Sequence, residues 1–542
     1  MTAPSLVVIG IIDDGLAFAH QRFRRGKGTR VEYLWNQLLP GGPGVHLRKS
    51  VATTVPPIDT LLATCEHAGL VDEDELYCLS RQIDYRQSGH KPAAWRVSHG
   101  TLAMDLACGD DPASVQNDRP IVCVQLPVAT TADTSGGTLK AQVMEALAFI
   151  VRSANQIAAD RGLAPPPIVV NLSYGIFAGP HDGSGLLEAA IDDLIMAREA
   201  ADNAALRVVL PSGNSYLSRC HARFSINAGR KKELHWRVQP DDRTESWLEI
   251  WLPPGLAGQQ PAVSVEVITP SGLASGEIAQ GMECPLTAGG SVIGRVANYG
   301  PGRGTNNRGR ITIHLAPTAS DDGAVAVAPP GRWRVVLKNK GANSVRPIDA
   351  WIQRDDNPYG YPRRGRQSRF DDPKYRRFSV HGREIERDAD DDPAAYVKRG
   401  GTISAIATGS KTIVIGGYRR RDGHPANYSA GGPLLPAGRN PDAMAVSDDS
   451  VACRGVMAAG SRSSSTVAMY GTSVAAPIVA RFIAEELLAG RRGDRQAVHD
   501  LAQALEAGAP WAEPTPPPER AGGGRLLFQP VAPVLPVRRV DE

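Results

Sequence analysis

An α/β fold built on a parallel sheet and interrupted by an all-β insertion follows from three features of the 542-residue sequence. Short β-branched runs alternate with long helical patterns in its first third. Short alternating runs without helical periodicity fill the middle, and the strand-and-helix texture resumes after Gly400. Strands covered on both faces read as continuous apolar runs, and helices packed on such a sheet connect its parallel neighbours.

In chain order, the apolar runs 6–12, 121–126, 168–172 and 208–210 are predicted buried strands. Between the second and third, Val143, Leu147, Ile150, Val151, Ala154 and Ile157 recur at three- and four-residue spacing and make one apolar helix face. The stretch 186–204 repeats that pattern before the fourth strand. From about Leu234 the runs 247–251, 263–268, 311–315, 333–337 and 348–352 alternate as strands of a sandwich, with Pro-Gly turns at Gly255, Gly272 and Gly331. Trp247 and Trp251 alternate as inward-facing positions and are expected to pack the sandwich core. That core is expected to be self-contained. Charges of both signs fill 354–399, which reads as an exposed connector, and the proline-rich stretches 514–518 and 530–536 read as extended chain. The expected division is 1–232 and 400–528 for two halves of one α/β domain, 233–354 for the inserted sandwich, 355–399 for the connector and 529–542 for a tail.

Composition excludes several function classes. With 42% hydrophobic and 22% charged residues the chain falls among soluble globular proteins. Sixty basic residues against 57 acidic ones leave +3, too little for a nucleic-acid footprint or a polybasic membrane anchor, so neither nucleic acid nor membrane is an expected partner. Seven cysteines, at 65, 78, 108, 123, 220, 284 and 453, are odd in number and scattered, which fits a reducing, cytoplasmic compartment. The run 6–12 is too short to span a bilayer and leads into Asp13 and Asp14, so no signal peptide or membrane helix is expected. Cys65, His67 and Cys78 lack paired Cys-x-x-Cys spacing, and no metal set is expected.

Three segments share a chemical theme: Ile11-Ile-Asp13-Asp14-Gly15 at a strand end, Ser98-His99-Gly100-Thr101 opening a helix, and Gly471-Thr-Ser473-Val-Ala-Ala-Pro477 opening another. A serine hydroxyl is a poor nucleophile at neutral pH. It needs an imidazole to take its proton and a carboxylate to hold that imidazole in the right tautomer. A helix start places orphan amides beside Ser473, where negative charge would develop. Pro211-Ser212-Gly213-Asn214 adds a side-chain amide just beyond a buried strand, suited to an oxyanion. As a base, His99 is expected to titrate near its ordinary value of about 6.5 or slightly above.

With these motifs in this order, the sequence resembles the subtilisin-like serine proteases, the subtilases. The stretch 8–23 is similar to the family's aspartate motif, including Gly15 and His20; His99-Gly-Thr to its histidine motif; 471–477 to its serine motif; and Asn214 to its oxyanion asparagine. The resemblance implies a subtilisin-like parallel sheet flanked by helices. It implies hydrolysis of peptide bonds by Asp13, His99 and Ser473, with a polypeptide as substrate and no required cofactor, a structural calcium ion staying open. Ser173, Tyr174 and Gly175, with Ser212 and Gly213, are implied to pair with the substrate backbone and line the primary pocket. Asp14 stands where the kexin-like branch also has Asp. Its side chain is expected to point away from the Asp13 carboxylate, and either to meet Lys or Arg next to the cleaved residue or to be a solvated or backbone-capping acid.

The resemblance covers 5–214 and 400–528, with support from Asn427-Tyr-Ser-Ala-Gly-Gly-Pro433 and Asn440-Pro-Asp442. The insertion, together with the segment 30–37, resembles the subgroup with a jelly-roll insertion that includes spore-germination subtilases. Two departures stand out. After Asp442 the sequence reads Ala-Met-Ala-Val-Ser447 in place of an Ala-Pro-Gly turn, and 12 residues before Asp13 leave no room for the usual folding propeptide. The chain is expected to be a mature form, or to be restrained by a regulatory protein, an assembly state or the insertion. The competing reading is a pseudoprotease or scaffold that binds a partner through the β insertion.

Overall fold

The computed structural model describes residues 4–37, 44–83, 92–111, 119–133, 136–202, 204–255, 262–302, 307–357, 364–432, 441–508 and 516–528. The tail 529–542, and with it Asn440, Pro433 and Pro514, lies outside these residues.

All six residues of β1 (Val8–Asp13) are buried. Alternate side chains leave opposite faces of a strand, so Ile9 and Ile11 join one apolar cluster while Val8 and Ile12 join another. The first half of the chain continues with β2 (Val31–Asn36), β3 (Val45–Arg48), α1 (His99–Cys108), β4 (Ile121–Gln125), α2 (Leu139–Asp160), β5 (Ile168–Leu172), α3 (Leu186–Asp202) and β6 (Leu206–Pro211). Gly10 lets α2 close onto β1, because a Cβ there would stand 2.9 Å from the Ile150 side chain.

The inserted antiparallel sheets begin at β7 (His221–Ile226) and run through β8 (Lys231–Val238), β9 (Ser246–Pro254), β10 (Val263–Ile268), β11 (Glu283–Ala288), β12 (Ser291–Tyr299), β13 (Arg308–Leu315), β14 (Gly331–Asn339) and β15 (Val345–Ile352). One sheet has the order β11-β12-β13-β9-β15-β7, closed by the short strand Val397–Lys398; the facing sheet has the order β10-β14-β8, closed by Arg369–Phe370. Their inner faces share a core that includes Leu248, Ile250, Trp236, Val265 and Trp333. The antiparallel sheets thus take in residues from His221 to Lys398, a wider span than 233–354.

The chain then returns through β16 (Ile413–Arg419), β17 (Ala443–Asp448), α4 (Thr472–Leu488) and α5 (Arg495–Gly508). The completed first sheet has the order β17-β16-β6-β5-β1-β4-β2-β3, parallel except at the β3 edge. The Ala-Met-Ala-Val-Ser447 departure forms β17, paired in parallel with β16. Register aligns Ile12 with Leu172 and Val209 with Asn171, so β1, β5 and β6 end at one edge.

Two expectations are corrected. Trp247 and Trp251 do not enter the sandwich core: Leu248, Ile250 and Leu252 do, and the tryptophans occupy the opposite face of β9. That face is buried as well, because the sheet packs on the α/β body. Trp251 clusters with Trp351 of β15 and with Phe177, which follows β5, while Trp247 stacks on His314 at 4.2 Å. His181 and His221 sandwich the Trp351 indole at centroid distances of 4.1 and 4.9 Å. Nor is 355–399 simply exposed. Its charges pair with one another: Arg399 is fully buried, in contact with Asp391, and donates to Ile385 O at 2.8 Å and Arg376 O at 2.6 Å. Among the described residues, no helix is long and apolar enough to cross a membrane.

Candidate active site

The carboxyl ends of neighbouring parallel strands frame a crevice. At the end of β1, Asp13 is 5% exposed, and its Oδ1 accepts the Asp14 N–H at 2.8 Å. The same oxygen lies 2.8 Å from His99 Nδ1, at the start of α1. Every residue around His99 has a local task. Thr101 Oγ1 donates to Gly15 O at 2.6 Å and accepts from Ala17 N at 2.9 Å, and Ser98 Oγ donates to Gly15 O at 2.5 Å. A Cβ at Gly100 would fall 1.8 Å from Asp14 O, so only glycine lets α1 approach the strand end. His20 caps the turn Gln21–Phe23 through Nδ1, and burial beside Arg22 and Arg24 lowers it to about 3.

Asp14 does not point away from Asp13. The strand ends at Asp13, so the alternation behind that expectation stops there. Carboxylate oxygens of Asp13 and Asp14 and a ring nitrogen of His99 all lie within 4.8 Å of one another. The two acids reset the imidazole. Burial alone would lower the His99 pKa, but the Asp13 charge and hydrogen bond, with the Asp14 charge behind them, raise it to about 9 against the opposing Arg354 guanidinium. It therefore titrates well above the value of about 6.5 or slightly higher expected from sequence.

Gly471 precedes α4 with φ of +140°. A Cβ there would stand 3.1 Å from Asn214 Nδ2 and 3.3 Å from Ser473 Oγ, so the absence of a side chain leaves both groups bordering one space. Asn214 Oδ1 accepts from Thr472 N at 2.9 Å and from Thr472 Oγ1 at 3.0 Å, and Thr472 Oγ1 accepts from Gly213 N at 3.1 Å. A backbone N–H can only donate, so Thr472 fixes which end of the amide is oxygen and turns the NH₂ toward the Gly471 side. Asn214 is exposed and Ser473 half-buried. Ser473 N–H is one of the first-turn amides with no partner inside the helix. No hydrogen bond joins His99 to Ser473 among the described residues; in substrate-free hydrolases that contact is commonly long.

The remaining residues named from sequence divide. Tyr174 is half-buried, its hydroxyl 3.3 Å from Asp133 O and 3.4 Å from Thr130 O. A Cβ at Gly175 would meet Ser404 Oγ at 2.8 Å. Ser173 is 5% exposed, and its hydroxyl donates to Ser473 O at 3.0 Å. The Ser212 side chain is fully buried and cannot touch a substrate; its carbonyl accepts from Ser404 N at 2.8 Å. Sequence reasoning missed Thr472, which orients Asn214, and Ser404, whose Oγ also accepts from Ile176 N at 3.0 Å. It also missed Arg354, just beyond β15, whose charge acts on both His99 and Tyr174. Only Thr472 carried a signal, its place beside Ser473.

The fold is subtilisin-like. Residues 390–509 match the family described as the Subtilase family. The CspB protease of Clostridium perfringens is similar in fold at 19% identity, with 97% of this chain and 93% of that chain covered and a TM-score of 0.64. The nisin leader peptidase NisP from Lactococcus lactis aligns at 11% identity over 96% of this chain and 86% of its own, with a TM-score of 0.34. No protein with a curated description matches the chain.

Proposed function

We propose that the chain is a serine endopeptidase in which Ser473 attacks the scissile carbonyl carbon. His99 takes the hydroxyl proton and returns it to the leaving amine, and Asp13 holds the ring as the Nδ1–H tautomer and stabilises the imidazolium. Asn214 Nδ2 and the Ser473 N–H meet the oxyanion, and water then hydrolyses the acyl-enzyme by the reverse proton path. The clamp of Asn214 Oδ1 by Thr472 is the observation that carries this reading. It holds an exposed amide ready for developing charge, so no reorganisation is needed at the moment of reaction. We assign the backbone at Tyr174, Gly175 and Gly213 to the edge that would pair with an extended substrate.

All seven cysteines are free thiols, which supports a reducing, cytoplasmic setting. There a broad protease needs restraint, which we assign to a regulatory partner or to the docked sandwich.

A fluorophosphonate probe tests the reading. It should form an adduct at Ser473 by mass spectrometry, and Ser473→Ala should abolish both labelling and peptide hydrolysis. Asn214→Ala should lower turnover about a hundredfold to a thousandfold. Peptide hydrolysis that survives Ser473→Ala would overturn the assignment, and a chain that neither labels nor hydrolyses would favour a scaffold.

A further inference from the structure

Pro477 lies in the second turn of α4, where a proline removes the N–H that would bond the carbonyl four residues back. That carbonyl belongs to Ser473. A buried carbonyl without a partner is costly, so some other donor has to meet it. Ser173, directly after β5, supplies one: its hydroxyl lies 3.0 Å from Ser473 O.

The direction of this bond follows from counting hydrogens. Asn171 is fully buried, and its Nδ2 donates to Ser173 Oγ at 3.0 Å. A hydroxyl has one hydrogen. With its oxygen accepting from Asn171, that hydrogen goes to Ser473 O at 3.0 Å in preference to Asn171 Oδ1 at 3.4 Å. A line of donors thus runs from the middle of the parallel sheet, through Ser173, to the first turn of α4.

We propose that Ser173 is a positioning residue for the nucleophile: its hydroxyl replaces the helical hydrogen bond that Pro477 cannot make and so fixes the orientation of the Ser473 hydroxyl and N–H. The inference rests on Ser473 being the nucleophile and departs from the family expectation that Ser173 meets the substrate. Proline at 477 is what leaves the Ser473 carbonyl free to be held by the sheet, so the reactive turn is referenced to the strand ends that carry Asp13 and Asn214 and not to its own helix.

The test is a cycle of Ser173→Ala, Pro477→Ala and the double variant, read by fluorophosphonate labelling rate at Ser473, by kcat and KM on one peptide, and by thermal unfolding. Ser173→Ala should slow labelling about tenfold, the size of one lost hydrogen bond, and lower kcat alike with KM unchanged. Ser173→Thr, which keeps the hydroxyl, should retain labelling. Pro477→Ala restores the missing N–H, so the double variant should recover most of the labelling lost by Ser173→Ala. A raised KM with unchanged labelling would make Ser173 a substrate contact and overturn the inference, as would a double variant no faster than Ser173→Ala. A wild-type chain that never labels would overturn the proposed function instead. The unfolding cycle would then still decide whether the two hydrogen bonds substitute for one another, and additive effects there would overturn the inference on their own.

Discussion

At the carboxyl ends of β1, β5 and β6 the parallel sheet delivers Asp13, Ser173 and Ser212 to one edge, whereas the antiparallel sheets of the insertion reverse direction at every strand and have no such edge. The parallel half concentrates chemistry at strand ends. The sandwich works through faces: one side of β9 and β15 fills its own core, and the other docks Trp251 and Trp351 on Phe177, downstream of the candidate substrate edge. Arg308 of β13 reinforces that seam by donating to Pro180 O at 2.9 Å and reaching Asp182 at 3.2 Å. An insertion seated this way is a supporting wall. Deleting it would strip the cover from Phe177 and His181.

The contrast breaks most readily at Trp351. Trp351→Ala should cost about 3–5 kcal/mol in unfolding, as for a buried aromatic, and should open the 176–183 segment to limited proteolysis. Trp247→Ala, on the same face but only half-buried against His314, should cost about 1 kcal/mol. Equal losses would mean that the seam is no more than surface.

A smaller effect sharpens the strand-end side. Because His99 must be neutral to act as a base, hydrolysis should rise with pH through an apparent pKa near 9. Asp14→Asn removes one of the charges that raise it and should move that limb to lower pH. An unmoved limb would show that Asp14 does not act on the imidazole. The sign for stability is fixed as well. A histidine raised on folding stabilises fully below about 6.5 and loses that contribution as pH climbs through about 9.

The smallest effect lies inside the insertion. Asp355 follows β15 and accepts from Ser368 N at 2.9 Å, Ser368 Oγ at 2.8 Å and Ser246 Oγ at 3.1 Å. Burial, reinforced by the Asp242 charge, raises it to about 7. Folding therefore favours its protonated form, and stability falls as pH rises through about 7, with a slope of at most about 1.4 kcal/mol per pH unit for one proton. Asp355→Asn should flatten the decline in melting temperature between pH 5 and pH 8.

The buried parallel strands were legible in the sequence because cover on both faces forces a continuous apolar run, as at Val8 to Ile12. His99 and Ser473 were legible because the residues around them have fixed local tasks: Gly100 must lack a Cβ, and Thr472 must clamp Asn214. The direction of the tryptophan face was not. Alternation reports that two faces differ, and on β9 both are buried, so period two cannot say which one meets the sandwich core. Strand β8 was passed over because Lys231, Lys232, Glu233 and Arg237 dilute its apolar positions. Ser404 and Arg354 arrive from distant parts of the chain, and a lone hydroxyl or guanidinium has no period to announce it.

The pairing of β7 with the short strand Val397–Lys398, His221 opposite Lys398, bears on the order of assembly. Asn214 and Thr472 must find each other across a long stretch of chain, and loop entropy opposes that meeting by about 0.6 kcal/mol for each doubling of length. Once the sandwich has closed, its first and last strands leave side by side, and the α/β body experiences the whole excursion as a hairpin-sized detour. The half carrying Asp13, His99 and Asn214 emerges first during synthesis and the half carrying Ser473 last. The segment that carries Ser473 is therefore made only after the inserted sheets, so the crevice is complete in the chain only once they have been synthesised.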